Sequence, residues 1–146
     1  MHLHVRRARP DERERAALFY QGWDYHAGAT DTAAIFVAEH HGDLVGLVRL
    51  EVELDVTVLR GMRVLPAHQR RGIGSALLRT VADHLGTTPC YCIPFSHLIA
   101  FYGQVGFIEL PVAAAPAHLQ ARVVEYQARG RDVVLMLRRA QGQDGV

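Results

Sequence analysis

The chain has 146 residues, a length that one hydrophobic core serves, since single domains run to roughly 100–200 residues. Sixteen basic against fifteen acidic side chains leave a net charge of +1, which excludes broad electrostatic attraction to nucleic acid or an anionic membrane. The longest apolar run, Ala33–Ala38, falls far short of the roughly 20 residues of a bilayer span, and the opening MHLHVRRARP carries charge without an apolar leader core, so a soluble cytoplasmic protein is expected.

In chain order, LHVRRAR reads as a first strand. Pro10-Asp11-Glu12 then opens a helix, with proline in the first turn and acids at the positive end of the dipole; the helix is expected to run through Arg13–Trp23. From Ile35 to Leu65 the pattern is β: AIFVAEH, a turn at His41-Gly42-Asp43, LVGLVRLEVEL, a turn at Asp55, and VTVLRGMRVL, an antiparallel meander. In its middle strand Leu44, Gly46, Val48, Leu50, Val52 and Leu54 share one face, expected to be core. Val45, Leu47, Arg49, Glu51 and Glu53 share the other, which becomes polar.

Ile73, Leu77, Val81 and Leu78, Ala82, Leu85 recur at helical spacing, with Gly86 placed to stop the helix in a left-handed cap. A short strand PCYCI follows. Ser96 is expected to cap a helix through HLIAFYGQVGF that Gly106 ends, and FIEL makes another strand. The connector Pro111–Pro116 leads to an amphipathic helix AHLQARVVEYQARG and a final strand DVVLMLRR; residues 140–146 form a tail expected to fray. A meander followed by alternating helices and strands argues for a single α/β domain over residues 1–146, a mixed sheet with helices on both faces.

Cys90 and Cys92 are too close along one strand for an ordinary disulfide and read as buried thiols. His40-His41 reads as a hairpin tip, and no metal site is expected.

The stretch Val64–Leu78, VLPAHQRRGIGSALL, carries the chemistry. A helix N-terminus leaves backbone N–H groups outside the helical ladder, and with the helix dipole they make a seat for an anion such as phosphate. Gly72 and Gly74 let the backbone approach closely, and Arg70 and Arg71 can add charge-assisted contacts. The same residues also fit a merely tight turn. Two stronger nucleotide patterns are excluded: the third glycine of the dinucleotide fingerprint would fall at Leu77, and a P-loop needs a lysine that this chain lacks.

The V-x-P strand end at Val64 to Pro66, followed by Gln69-Arg70-Arg71-Gly72-Ile73-Gly74, closely resembles the acetyl-CoA signature of the GNAT superfamily of N-acetyltransferases. A second match follows in order at Phe101-Tyr102-Gly-Gln-Val-Gly106-Phe107, the family's F-Y-x-x-x-G-F. The resemblance implies a GNAT-like fold in which a splayed central pair of parallel strands follows the antiparallel meander. It implies acetyl-CoA as co-substrate, with backbone groups of Met62, Arg63 and Val64 along the pantetheine arm, amides from Gln69 through Ile73 and Gly74 to Ser75 on the pyrophosphate, and Arg70 and Arg71 near the phosphates.

Transfer to an amine requires stabilising an oxyanion and protonating a thiolate. A backbone N–H near Val64 is the candidate for the first task and Tyr102 for the second, against the alternative that Tyr102 simply packs in the core. Glu51 and Glu53 are candidate bases, directly or through water, with Arg49 available to an anionic substrate group and cross-strand pairing as the simpler account; His97 and His68 are further options. Two departures from the family stand out. Phe95 occupies the place where many relatives carry an asparagine, and PCYCI offers no glutamate.

The expected activity is N-acetyltransfer to an amine of a small molecule or peptide in a ternary complex. The rival is an acyl-CoA-binding sensor without chemistry. The segments Tyr20–Thr32 and Pro111–Arg129 are expected to wall the amine pocket, and the final strand and inserted helix could support a homodimer.

Overall fold

The computed structural model describes residues 2–21 and 32–139. Those residues form a mixed α/β fold of seven strands and four α-helices, and the chain divides into two compact units, one up to His84 and one from Leu85 on. The expectations for Trp23, for most of the Tyr20–Thr32 segment and for the 140–146 tail lie outside the described residues.

In the first unit, β1 (Leu3–Arg7), β2 (Ala34–His40), β3 (Asp43–Glu53) and β4 (Val56–Val64) pair in sequence order, each antiparallel to the next. The turns from β2 to β3 and from β3 to β4 are tight. His41 and Gly42 both take positive φ, as do Leu54 and Asp55, the geometry whose twist matches that of paired strands. A 3-10 turn at Pro10–Glu12 leads into α1 (Arg13–Gln21). Its Ala16 and Tyr20 pack with Ala33, Ile35, Val37 and Leu47 in one apolar cluster.

Beside that cluster lies a network of charge. Glu12 accepts from Arg6 Nη1 and Nη2 at 2.7 and 2.8 Å and from the Arg9 backbone N–H at 2.8 Å, while Arg15 reaches Glu39 at 2.8 Å. The Arg6 bonds hold the Glu12 carboxyl down at about 2, from an ordinary 4.5, against the opposing effect of burial. Glu39 is likewise lowered, first by its bond from Arg15.

α2 (Ile73–Leu85) buries Ile73, Leu77, Leu78, Val81 and Leu85, the stripe its spacing requires, and Gly86 takes the left-handed conformation expected of the residue after it.

The second unit contains β5 (Cys90–Cys92), α3 (Ile99–Gly103), β6 (Phe107–Leu110), α4 (Ala117–Ala128) and β7 (Leu135–Arg138). β7 pairs antiparallel with both β5 and β6, so the last strand in sequence lies between the other two. Leu119 and Val123 of α4 are buried, as are Leu135, Met136 and Leu137. Both cysteines are free and buried, and burial pushes the Cys92 thiol well up.

Two local expectations change. Ser96 does not cap the following helix: it sits at the first position of a 3-10 turn, Ser96–Leu98, and its hydroxyl donates to Asp132 Oδ2 at 2.5 Å. In β3 both faces are buried from Val45 to Glu51, and the strand becomes exposed where the apolar pattern predicted core, Val52 being 66 % and the adjoining turn residue Leu54 79 % exposed. Alternation assigns residues to faces, but it cannot say whether a second layer covers the polar one.

Candidate active site

The segment that ends β4 and begins α2 is built from conformations few residues accept. Pro66–His68 makes a 3-10 turn, Arg70 stands at φ +64°, and Gly72 at φ +80°. The first helical bond of α2 runs from the Ala76 N–H to the Gly72 carbonyl at 3.0 Å, so the N–H groups of Ile73, Gly74 and Ser75 precede the helical ladder at its positive end. A Cβ built on Gly72 would meet no atom within 4 Å. Its positive φ, not crowding, is what asks for glycine here. Arg70 and Arg71 are exposed beside this turn, and Gln69 Nε2 donates to the Val64 carbonyl at 3.0 Å, tying the turn to the strand end.

β4 carries a bulge just before that end. Leu47 pairs with Arg63 and Arg49 with Arg60, which leaves Gly61 and Met62 together opposite Val48. Gly61 has φ +65°, and a left-handed glycine in the first position is the mark of one bulge type. Met62, Arg63 and Val64 follow it, and Arg63 Nη1 folds back to donate to the Met62 carbonyl at 2.8 Å.

On the face of β3 expected to be polar, Arg49 and Glu51 are closed off from solvent. Arg49 is fully buried and its Nε donates to Glu51 Oε2 at 2.8 Å. The guanidinium carbon lies 5.2 Å from the centroid of the Tyr20 ring, and the Tyr20 hydroxyl donates to the Gly61 carbonyl at 2.8 Å. Glu53, partly exposed, lies 3.5 Å from Arg60 Nη1. Tyr102, in the second unit, is 5 % exposed and packs edge-on against Phe101 and Phe107.

Most of the residues singled out in the sequence therefore fall in the first unit: Met62 to Val64, Gln69 to Ser75, Glu51 and Glu53. Reading the sequence placed Tyr20 only at the head of a segment expected to wall the amine pocket; it missed Gly61 and the bond that joins the two. The signal for Gly61 was present, since a lone glycine inside a strand pattern indicates a bulge or a close approach. No local signal marks Tyr20, whose role depends on a contact 41 residues away. Four of the nine histidines make a row: His2 and His41 have ring centroids 4.7 Å apart, His40 and His41 4.4 Å, and His40 and His68 5.6 Å. Burial first, and then coulombic interaction with His41, His68, Arg71 and His2, lower the basicity of His40. Among the described residues no cluster of His, Cys, Asp or Glu could hold a metal ion.

The family profile described as the acetyltransferase (GNAT) domain matches residues 31–109, more than half of the 146, and the chain belongs to this family. No curated protein matches it in sequence. Solved structures do resemble it. N-acetylglutamate synthase from Neisseria gonorrhoeae, complexed with coenzyme A and N-acetyl-glutamate, aligns with a TM-score of 0.67 at 18 % identity over 95 % of this chain and 35 % of its own. The chain thus spans about a third of that synthase. A Mycobacterium tuberculosis protein in complex with CoA aligns at 0.67 and 20 % identity over 93 % of this chain and 98 % of its own. The ribosomal-protein-S18-alanine N-acetyltransferase from Escherichia coli aligns at 0.66 and 20 % identity over 99 % and 98 %. At these identities the likeness establishes the fold.

Proposed function

We propose that the chain is an acetyl-CoA-dependent N-acetyltransferase that passes the acetyl group directly to a primary amine of a small molecule or peptide, both substrates being bound together. The observation that carries this reading is the turn at Gln69–Ser75, where a left-handed glycine with open space above it precedes amides at the positive end of α2. Both units belong to one catalytic domain in this reading, and the family match running across His84 supports that.

The seat suits a diphosphate, with Arg70 and Arg71 at its rim. Amides of Met62, Arg63 and Val64 lie along the pantetheine arm, and an N–H near Val64 donates to the carbonyl oxygen as it takes up charge. The amine nitrogen bonds to the carbonyl carbon, the C–S bond breaks, and the sulfur takes the proton that Tyr102 supplies. The ammonium proton released goes to Glu51 or Glu53, directly or through water. No protein nucleophile is required, and Cys92, its thiol pushed up by burial, is unsuited to be one. The acceptor is a free amine, the location cytoplasmic, and a homodimer is compatible with the exposed face of α4.

A second reading, an acyl-CoA-binding module without chemistry, draws on one observation: both candidate bases stand beside arginines, Glu51 with Arg49 and Glu53 with Arg60. Calorimetry with acetyl-CoA, followed by thiol release across an amine panel, separates the two. Binding with no release from any amine favours the module. Tyr102→Phe is expected to lower kcat by about 10²-fold, within the range of general acid catalysis, and to leave acetyl-CoA affinity in place; unchanged turnover removes Tyr102 from the chemistry.

A further inference from the structure

We propose that Tyr20, braced by the buried Arg49–Glu51 pair, is a positioning residue for the strand that faces the thioester: its hydroxyl pins the Gly61 carbonyl and so sets the direction of the amides at Met62–Val64. This rests on the reading above, in which those amides lie against the acetyl group.

The bulge creates the need. Where Gly61 and Met62 together oppose Val48, the extra residue falls out of the ladder, and strand pairing alone no longer dictates where the next amides point. Gly61, at φ +65°, sits in a conformation with little restraint of its own. Tyr20 supplies the restraint from α1 through the 2.8 Å bond of its hydroxyl to the Gly61 carbonyl. Its ring is held in turn, because it lies over the Arg49 guanidinium, which Glu51 fixes from the same face of β3.

The fit is close. A Cβ on residue 61 would stand 2.5 Å from the Tyr20 hydroxyl and 2.6 Å from Arg49 Nη1, so the absence of a side chain there is what admits both groups. A buried ion pair is a poor device for stability, since an apolar pair of similar volume is often as good or better. Holding an aromatic ring against a backbone carbonyl is a task for which fixed charge and directional bonds are suited.

The test needs no knowledge of the acceptor amine. Acetyl-CoA labelled with carbon-13 at the thioester carbonyl is bound to the wild-type chain, and isotope-edited infrared difference spectra record its stretch. A donor aimed at the oxygen lowers the frequency from that of the free compound. Tyr20→Phe is expected to remove at least half of that displacement, to lower kcat about tenfold once an amine is found, a small part of the 10²–10³-fold that removal of an oxyanion donor costs, and to keep the acetyl-CoA dissociation constant within about twofold. The double variant Arg49→Met, Glu51→Leu is expected to melt no lower than wild type and still to lose the displacement, a result that mere packing would not give.

A wild-type complex with no displacement would sink the catalytic reading and the proposal with it. A displacement in wild type that persists unchanged in Tyr20→Phe would overturn the proposal alone.

Discussion

Glu12 shows how a single carboxylate can tie a first strand to a first helix. It accepts two bonds from Arg6 in β1 and one from the backbone that opens α1, while being only 7 % exposed. With the folded value near 2 against an ordinary 4.5, the unfolded chain takes up the proton first as pH falls. The stability Glu12 contributes is therefore complete above about pH 4.5 and disappears on the way down to about pH 2. Glu12→Gln is expected to lower the urea midpoint at pH 7 and to flatten its decline across that window; a wild-type decline left intact in the variant would locate the acid sensitivity elsewhere. At the same scale, the candidate site was only half legible. The glycines and arginines of Gln69–Ser75 announce themselves because their chemistry is contiguous in sequence. Tyr20 does not, because nothing near it in sequence distinguishes it from any other helix aromatic.

Among the elements, the two hairpin turns differ in how well their residues suit them. His41-Gly42 places glycine in one of its two positive-φ positions, whereas Leu54-Asp55 places none, at φ 46° and 71°. A left-handed conformation costs an ordinary residue roughly 1–2 kcal/mol, so Leu54→Asn with Asp55→Gly is expected to stabilise the protein by about 1 kcal/mol, read as a raised urea midpoint at unchanged slope. Gly72 poses the opposite case. Gly72→Ala strains a φ of +80° at a cost of about 1 kcal/mol, and its methyl projects into the open space above the turn; coenzyme A affinity by calorimetry is expected to fall about tenfold. Affinity unchanged by that methyl would place the diphosphate away from the turn. Element positions were largely readable, since Ile73–Leu85 and the β meander carry strong periodicities. The expected Ser96 cap failed because a serine beside a helix start has more than one available acceptor, and Asp132, 36 residues on, takes its proton. The burial of Arg49 and Glu51 was unreadable for a related reason: alternation reports a face, and only the packing of α1 decides what covers it.

For the molecule as a whole, a net charge of +1 means that, in the proposed reading, attraction for a polyanionic co-substrate is local, concentrated at Arg70, Arg71 and one helix end. Coenzyme A binding is accordingly expected to slow amide hydrogen exchange across residues 62–75 while leaving α4 at its free rate, as followed by mass spectrometry. Protection centred on α4 would contradict the placement of the seat.

The two thiols described in the second unit have a practical corollary. Both are sealed inside it, and the acidity of Cys92 is suppressed by its apolar surroundings, so the native protein offers maleimides and mild oxidants very little to react with. A single cysteine engineered at an exposed position would then be labelled almost alone, which makes the chain a ready host for fluorescent or spin reporters without first removing what nature put there.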